Sequence, residues 1–268
     1  MVIPVHDINP LRRTPWVTWA LIAANVAVFL FTPASSVVTG GTTASQTCRQ
    51  AAFYAEWAAI PKEMLENKPL TPTPTSSVLA VNQNGDVTCA ATRHPGYHKS
   101  PILSVLTAMF LHGGWFHLLG NMLFLLIFGN NVEDRFGRLK FLVFYLVCGY
   151  VAAYGYALVN PHSTEPLIGA SGAIAGVLGA YLVMFPRARV WSLVPILFFI
   201  PLRLPAWLVL GLWFVLQWVY ASGYAVGSAG SVAYAAHVVG FIFGAVVTLL
   251  LVPRNRPRAR GPTPNYAR

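Results

Sequence analysis

The feature that most constrains this chain is its run of apolar blocks, each nearly free of charge and long enough to approach or reach the width of a bilayer, which takes about 20 such residues. Six are evident: Trp16–Thr32, Trp115–Asn130, Leu139–Val159, Gly172–Phe185, Leu204–Tyr220 and Val232–Val252. A soluble fold has no place for them. Of the 268 residues, 56% are hydrophobic and 10% charged, against about 25% charged in an ordinary soluble domain, much of whose surface must face water. The expectation is an all-α membrane protein with six transmembrane helices. The stretch Trp191–Pro201 is also apolar, but Pro195, Pro201 and Pro205 oppose one long helix through it. It reads as an interfacial segment leading into the fifth span.

Basic residues set the orientation, because cytoplasmic loops collect Lys and Arg. With the N-terminus inside, the inner segments hold Arg12, Arg13, Arg135, Arg138, Lys140, Arg187, Arg189, Arg203 and the arginines of the tail. That is 13 of the 18 basic residues. The short outer loops, 160–170 and 221–231, hold none. Both termini are therefore expected in the cytoplasm. The divisions that follow are a cytoplasmic segment 1–15, a membrane domain 16–252 and a basic cytoplasmic tail 253–268. The net charge of +10 is a topology and lipid-headgroup signal, and no nucleic-acid partner is expected. Arg12 and Arg13 before an apolar run also resemble a signal peptide. The run is long for one and carries Trp16, Trp19 and Asn25, which favours an uncleaved first helix.

The one sizeable non-membrane region is residues 34–100. Its Thr, Pro, Ser and Gly content reads as loop, with a short helix around Ala51–Glu66 that Pro61 would interrupt. Placed outside the membrane, it holds Cys48 and Cys89, where a disulfide can form and persist. Cys148, in the third span, reads as an apolar filler. No internal repeat suggests a transporter with inverted halves.

A polar side chain in hydrocarbon is costly and is a functional candidate by default. The candidates are His112, His117 and Asn121 at the second span, Ser171 at the fourth and His237 in the sixth. Cys148, Thr248 and Gln217 have plainer readings as small core residues or interhelical hydrogen bonds. Spans two, four and six run in the same direction. His117 and Asn121 lie in the first turns of span two, Ser171 opens span four, and His237 lies about five residues, roughly 8 Å, into span six. All four share one depth near the outer face. Small residues four apart let membrane helices approach closely: Gly172, Gly176 and Ala180 follow Ser171, while Ala233, Gly240 and Gly244 flank His237. Packing those stripes together would set a hydroxyl beside an imidazole.

Such a pair is the core of an activated nucleophile. The usual third member is a carboxylate, yet none of the eight acids lies in a span near His237. A serine enzyme here would run on a dyad. His117 and Asn121, at i and i+4, share a helix face, and with backbone N–H groups at the start of span four they offer an oxyanion hole. Three histidines can also bind a metal, but nothing matches a His-Glu-x-x-His helix, so neither metal nor other cofactor is expected.

These residues resemble the rhomboid intramembrane serine proteases. The likeness rests on Leu111-His112-Gly113-Gly114-Trp115-Phe116-His117 through Asn121, on Gly169-Ala170-Ser171-Gly172, and on Ala236-His237 with Gly240 and Gly244. Gly129, Glu133 and Gly137 resemble the family's turn into its third span. Asn9-Pro10 through Asn25 and Pro205-Ala206-Trp207 are similar to bacterial members. The resemblance implies a site open to the outer face of the plasma membrane, cleaving single-pass membrane proteins within or beside their transmembrane helices. Ser171 would be the nucleophile, His237 the general base, and His117 and Asn121 the oxyanion donors. His112, Gly169, Gly172, Glu133, Gly240 and Gly244 would support them, His112 through hydrogen bonds in the first loop. Two features that some members have are missing: an aromatic one turn after the serine, where Ala175 stands, and a Trp-Arg pair ahead of His112. The competing readings are an inactive relative that binds membrane helices without cutting them, and a histidine-lined transporter.

Overall fold

The computed structural model describes residues 3–36, 43–70, 79–81, 87–89, 99–194, 200–222 and 233–251. The protein is mostly helical. Three helices have the length and apolar composition to cross a membrane: Trp115–Phe136, Arg138–Val159 and Tyr234–Leu251. Three shorter apolar helices accompany them, Trp16–Leu30, Ser171–Met184 and Ala206–Ala221. In chain order α1 is Trp16–Leu30, α2 Ala44–Trp57, α3 Pro61–Glu66, α4 Pro101–Ala108, α5 Trp115–Phe124 and α6 Asn130–Phe136. Then come α7 Arg138–Val159, α8 Ser171–Met184, α9 Ala206–Ala221 and α10 Tyr234–Leu251. A π-helical turn, Leu125–Gly129, joins α5 to α6. The second apolar block therefore runs on through Glu133, beyond the expected end at Asn130. The tail 253–268 and most of the loop 221–231 lie outside the described residues.

The all-α expectation needs one correction. Ile3–Asp7 (β1) pairs antiparallel with Arg189–Val194 (β4), which pairs with Ile200–Pro205 (β5), in the order β1-β4-β5. Two further strands, β2 (Leu79–Val81) and β3 (Val87–Cys89), form a hairpin. The prolines that broke the helix reading suit an edge strand, whose outer N–H groups need no partner, and Pro201 and Pro205 both lie in the edge strand β5. The Arg203 guanidinium lies over the Trp191 ring, 4.4 Å from its centroid. Asp7 anchors the sheet, accepting hydrogen bonds from Tyr181 Oη (2.6 Å, α8) and Asn131 Nδ2 (2.7 Å, α6). Burial raises the Asp7 carboxyl above its usual range.

The helical region expected around Ala51–Glu66 is divided as Pro61 implies: α2 ends at Trp57 and Pro61 begins α3. α2 starts at a capping box, with Thr43 and Gln46 each satisfying the other's backbone N–H. This segment is tied to the loops around Ser171. Leu167 N donates to Ala59 O at 2.7 Å, Tyr54 Oη to His112 O at 3.0 Å, and Thr107 Oγ1 to Trp57 O at 2.6 Å. Lys99 and Glu63 form a buried ion pair at 2.6 Å. A buried pair tolerates the loss of neither partner, since one charge would be left unmatched.

Cys48 in α2 and Cys89 in β3 are joined by a disulfide, closing a loop of sequence separation 41. Maleimide labelling of the folded protein is expected to modify neither cysteine until a reductant is added. Free labelling of both in unreduced protein would refute the bridge. Cys148 is a buried free thiol, and burial in the core makes it slow to react under either condition.

α8 is the centre of the bundle. Its residues Ala173 to Tyr181 are all buried, with α7 on one side and α10 on the other. A Cβ at Gly176 would strike Cys148 of α7, and one at Gly172 would lie 2.7 Å from Ala152. Toward α10 the approach is backbone to backbone: a Cβ at Gly240 would meet the Gly172 carbonyl, one at Gly244 the Gly176 carbonyl, and one at Gly179 the Phe241 carbonyl. The stripes of small residues thus face each other, with Gly179 joining them in place of Ala180.

Candidate active site

Ser171 is the first residue of α8, and His237 the fourth of α10. Because the glycine stripes let these helices touch, Ser171 Oγ lies 2.7 Å from His237 Nε2. An imidazole nitrogen at this distance can take the hydroxyl proton and return it to a leaving group. The N–H groups of Ser171, Gly172 and Ala173 precede the first helical hydrogen bond, from Ile174 N to Ala170 O (3.0 Å). They are the helix-terminal donors that have no acceptor four residues back.

Gly169 makes the approach to the serine. Its φ of +115° suits glycine, and its N–H donates to Ala108 O at 2.9 Å. A Cβ on it would lie 2.9 Å from His117 Nε2 and 3.6 Å from Ser171 Oγ. His117 therefore sits across the same small space from the serine. Its Nδ1 accepts from Gly113 N at 3.3 Å, which leaves the proton on Nε2, the atom that faces this space. Asn121, one turn on, is turned away: its Nδ2 donates to the His117 carbonyl at 2.9 Å.

The His112 ring is wholly buried and packs edge-on to His117, with centroids 5.1 Å apart, and the Phe110 backbone is its hydrogen-bonding neighbour in the first loop. Burial, with the His117 ring beside it, pushes His112 down to about 3, so it is a neutral packing residue at ordinary pH. Its backbone carbonyl accepts from Tyr54 Oη. Glu133 has a sharper role than a turn marker. It accepts from Val17 N (3.0 Å), Thr18 N (2.7 Å) and Thr18 Oγ1 (2.8 Å), capping α1 from another helix. Gly137, with φ of +81°, turns the chain from α6 into α7.

Gln217 of α9, which in the sequence reads as an ordinary interhelical hydrogen bond, has a particular partner. It is buried, and its Oε1 lies 2.8 Å from His237 Nδ1. Trp213, one turn earlier, lies against the same imidazole with centroids 5.9 Å apart. Among the described residues no carboxylate bonds to His237, and no group of three or more His, Cys, Asp or Glu side chains is arranged to hold a metal.

A cavity of about 30 Å³ opens beside Ser171, lined by Ala59, Ala108, Gly149, Ala152, Leu167 and Ala236 among others. Small and apolar side chains dominate its walls.

Residues 99–254 match the family described as Rhomboid domain, which is more than half of the chain. The chain belongs to the rhomboid family. It is 31% identical over 168 residues to RHOMBOID-like protein 1 of Arabidopsis thaliana, covering 63% of this chain and 39% of that protein. It is 30% identical over 146 residues to Rhomboid protein 1, mitochondrial, of Saccharomyces cerevisiae, covering 53% and 40%. With YdcA of Bacillus subtilis it shares 37% identity over 84 residues, 30% of this chain and 40% of that one. This rhomboid thus aligns with less than half the length of each of these three relatives, which come from a plant, a yeast and a bacterium. All the paired site residues, Ser171, His237, His117 and Gln217, fall inside the rhomboid domain.

Proposed function

We propose that the chain is an intramembrane serine endopeptidase working through a Ser171–His237 dyad. The observation that carries this reading is the 2.7 Å contact between Ser171 Oγ and His237 Nε2 at the start of α8. In the reaction His237 Nε2 takes the hydroxyl proton as Oγ attacks a peptide carbonyl. The tetrahedral oxyanion develops toward His117 Nε2–H and the first N–H groups of α8. His237 then gives its proton to the leaving amine, and water releases the acyl group from Ser171 by the same route in reverse. The cavity beside Ser171, walled by Ala and Gly, suits a small side chain on the acyl side of the cut.

The membrane setting follows the charge distribution: six spans, both termini in the cytoplasm and the site open to the extracytoplasmic face of the plasma membrane. The α8 helix has 14 residues, about 21 Å, short of the roughly 30 Å hydrocarbon core. Its start, with Ser171, then lies below the outer surface, reached through the non-helical segment 160–170. The substrates are single-pass membrane proteins, and the similarity of the N-terminal and span-five motifs to bacterial members supports a bacterial-type rhomboid. A fluorophosphonate probe applied to the purified protein tests the nucleophile. Covalent labelling should map to Ser171, and labelling elsewhere alone would overturn the assignment.

Asn121 is the weaker oxyanion donor, because its amide is engaged with the His117 carbonyl and has to turn to help. Asn121→Ala is expected to lower kcat by roughly 10-fold with KM little changed, less than the 100- to 1,000-fold loss of a principal donor. Steady-state cleavage of a transmembrane substrate in detergent measures it. An unchanged kcat would take Asn121 out of the site.

A further inference from the structure

Within α9, Gln217 is the side chain with strong hydrogen-bonding power at both ends, set among apolar neighbours and 6% exposed. Its Oε1 lies 2.8 Å from His237 Nδ1, while the other ring nitrogen lies 2.7 Å from Ser171 Oγ. Serine, imidazole and amide thus form one continuous line across α8, α10 and α9. Trp213, on the same face of α9, limits the ring from the side at 5.9 Å, and Tyr234 meets it edge-on at 6.2 Å.

A neutral imidazole carries one proton, and its partners decide on which nitrogen. With the proton on Nδ1, donated to Gln217 Oε1, the Nε2 lone pair faces the serine hydroxyl and can take its proton. With the proton on Nε2 the ring donates to Ser171 and is inert as a base. We infer that Gln217 is a positioning residue for His237, fixing by its carbonyl oxygen the tautomer and ring orientation that make Nε2 the acceptor. This rests on the reading of Ser171 and His237 as a catalytic pair.

The chemistry explains why an amide stands where soluble serine enzymes use a carboxylate. A carboxylate buried among apolar helices has to be desolvated, at high cost. A neutral amide supplies the acceptor without that charge. What it gives up is compensation of the imidazolium, so its contribution is orientation alone. Ala175, one turn after the serine, is too small to restrain the base, and restraint comes from the α9 side.

The test uses the full chain, purified in detergent and labelled with ¹⁵N-histidine, with the His237 signals assigned by their loss in His237→Ala. In the wild-type protein the neutral His237 ring should carry its proton on Nδ1. Gln217→Leu, which removes the acceptor but suits an apolar setting, should lose that preference and lower kcat roughly 10- to 100-fold with KM within about two-fold. That loss is smaller than the drop of about 10⁴-fold expected when the base itself is removed. Gln217→Glu, which in this apolar setting favours the neutral acid and keeps a carbonyl oxygen at the same reach, should recover most of the lost kcat. A wild-type ring protonated on Nε2, or a wild-type kcat in Gln217→Leu, would overturn the inference. If Gln217→Leu does not fold, the wild-type tautomer and the Gln217→Glu rate still decide it. Cleavage that persists in Ser171→Ala would instead refute the underlying catalytic reading, since the tautomer is measured without any turnover.

Discussion

Ser171→Ala and His237→Ala should each abolish cleavage of a transmembrane substrate while leaving a folded, detergent-soluble protein. The serine change is mild for the structure. Ser171 is at the first position of α8, where alanine is readily accepted, and its hydroxyl is bonded to His237. The functional loss is large because the two groups perform one proton transfer. Removing either leaves the other without its partner, so the double variant should be no worse than either single one. The expected drop is about 10⁴-fold or more, by analogy with the loss of a nucleophile or base in soluble serine proteases. Residual turnover would then come from the oxyanion donors and substrate binding. Cleavage by Ser171→Ala at a rate near wild type would remove the dyad.

Much of this site was legible because membrane topology converts sequence position into depth. Ser171, His237 and His117 are far apart in the chain, but the charge pattern implies that their three apolar segments start at a common level, and the glycine spacing indicates which two helices touch. What was not legible depends on lateral neighbours that the sequence does not order. Gln217 looked like any interhelical hydrogen bond until α9 was seen beside α10. The complete burial of the His112 ring against His117 has no local signature in its polar, glycine-rich motif. The sheet was missed for a related reason. Ile3–Asp7 is five residues long, and its partner strand begins at Arg189, too distant for any periodicity to link them. Pro201 and Pro205 were read as helix breakers, which they are, but a breaker does not say that an edge strand takes the helix's place. Glu133 stood out as an acid in an apolar block, yet its purpose, capping α1, needs the fold to be seen.

Gly244→Val should lower both stability and turnover sharply, although Gly244 lies two turns from His237 and touches no reacting atom. At Gly244 the α10 backbone approaches the Gly176 carbonyl so closely that a Cβ would overlap it, and at Gly240 the same holds for the Gly172 carbonyl. A clash with a flexible side chain is relieved by a rotamer change, but here the obstacle is helix backbone, and α8 is held on its other face by Cys148 and Ala152 of α7. The helices must separate. Overpacking of a dense core typically costs about 1–3 kcal/mol, and a backbone obstacle puts this change at the upper end. The effect on rate is steeper than the effect on stability. The 2.7 Å contact between Ser171 and His237 exists only because α8 and α10 are in contact, and a misplacement of about 1 Å in reacting groups lowers rates about 100-fold. Gly244→Val is therefore expected to lower the unfolding temperature in detergent and to reduce kcat by about 100-fold or more in the fraction that remains folded. Gly211, beside which a Cβ would meet nothing, is the control: Gly211→Ala should change neither. Measuring kcat per folded molecule, with fluorophosphonate labelling to count competent sites, separates misalignment from unfolding. If Gly244→Val keeps a wild-type rate per folded molecule, the distance between α8 and α10 does not set the alignment of the pair.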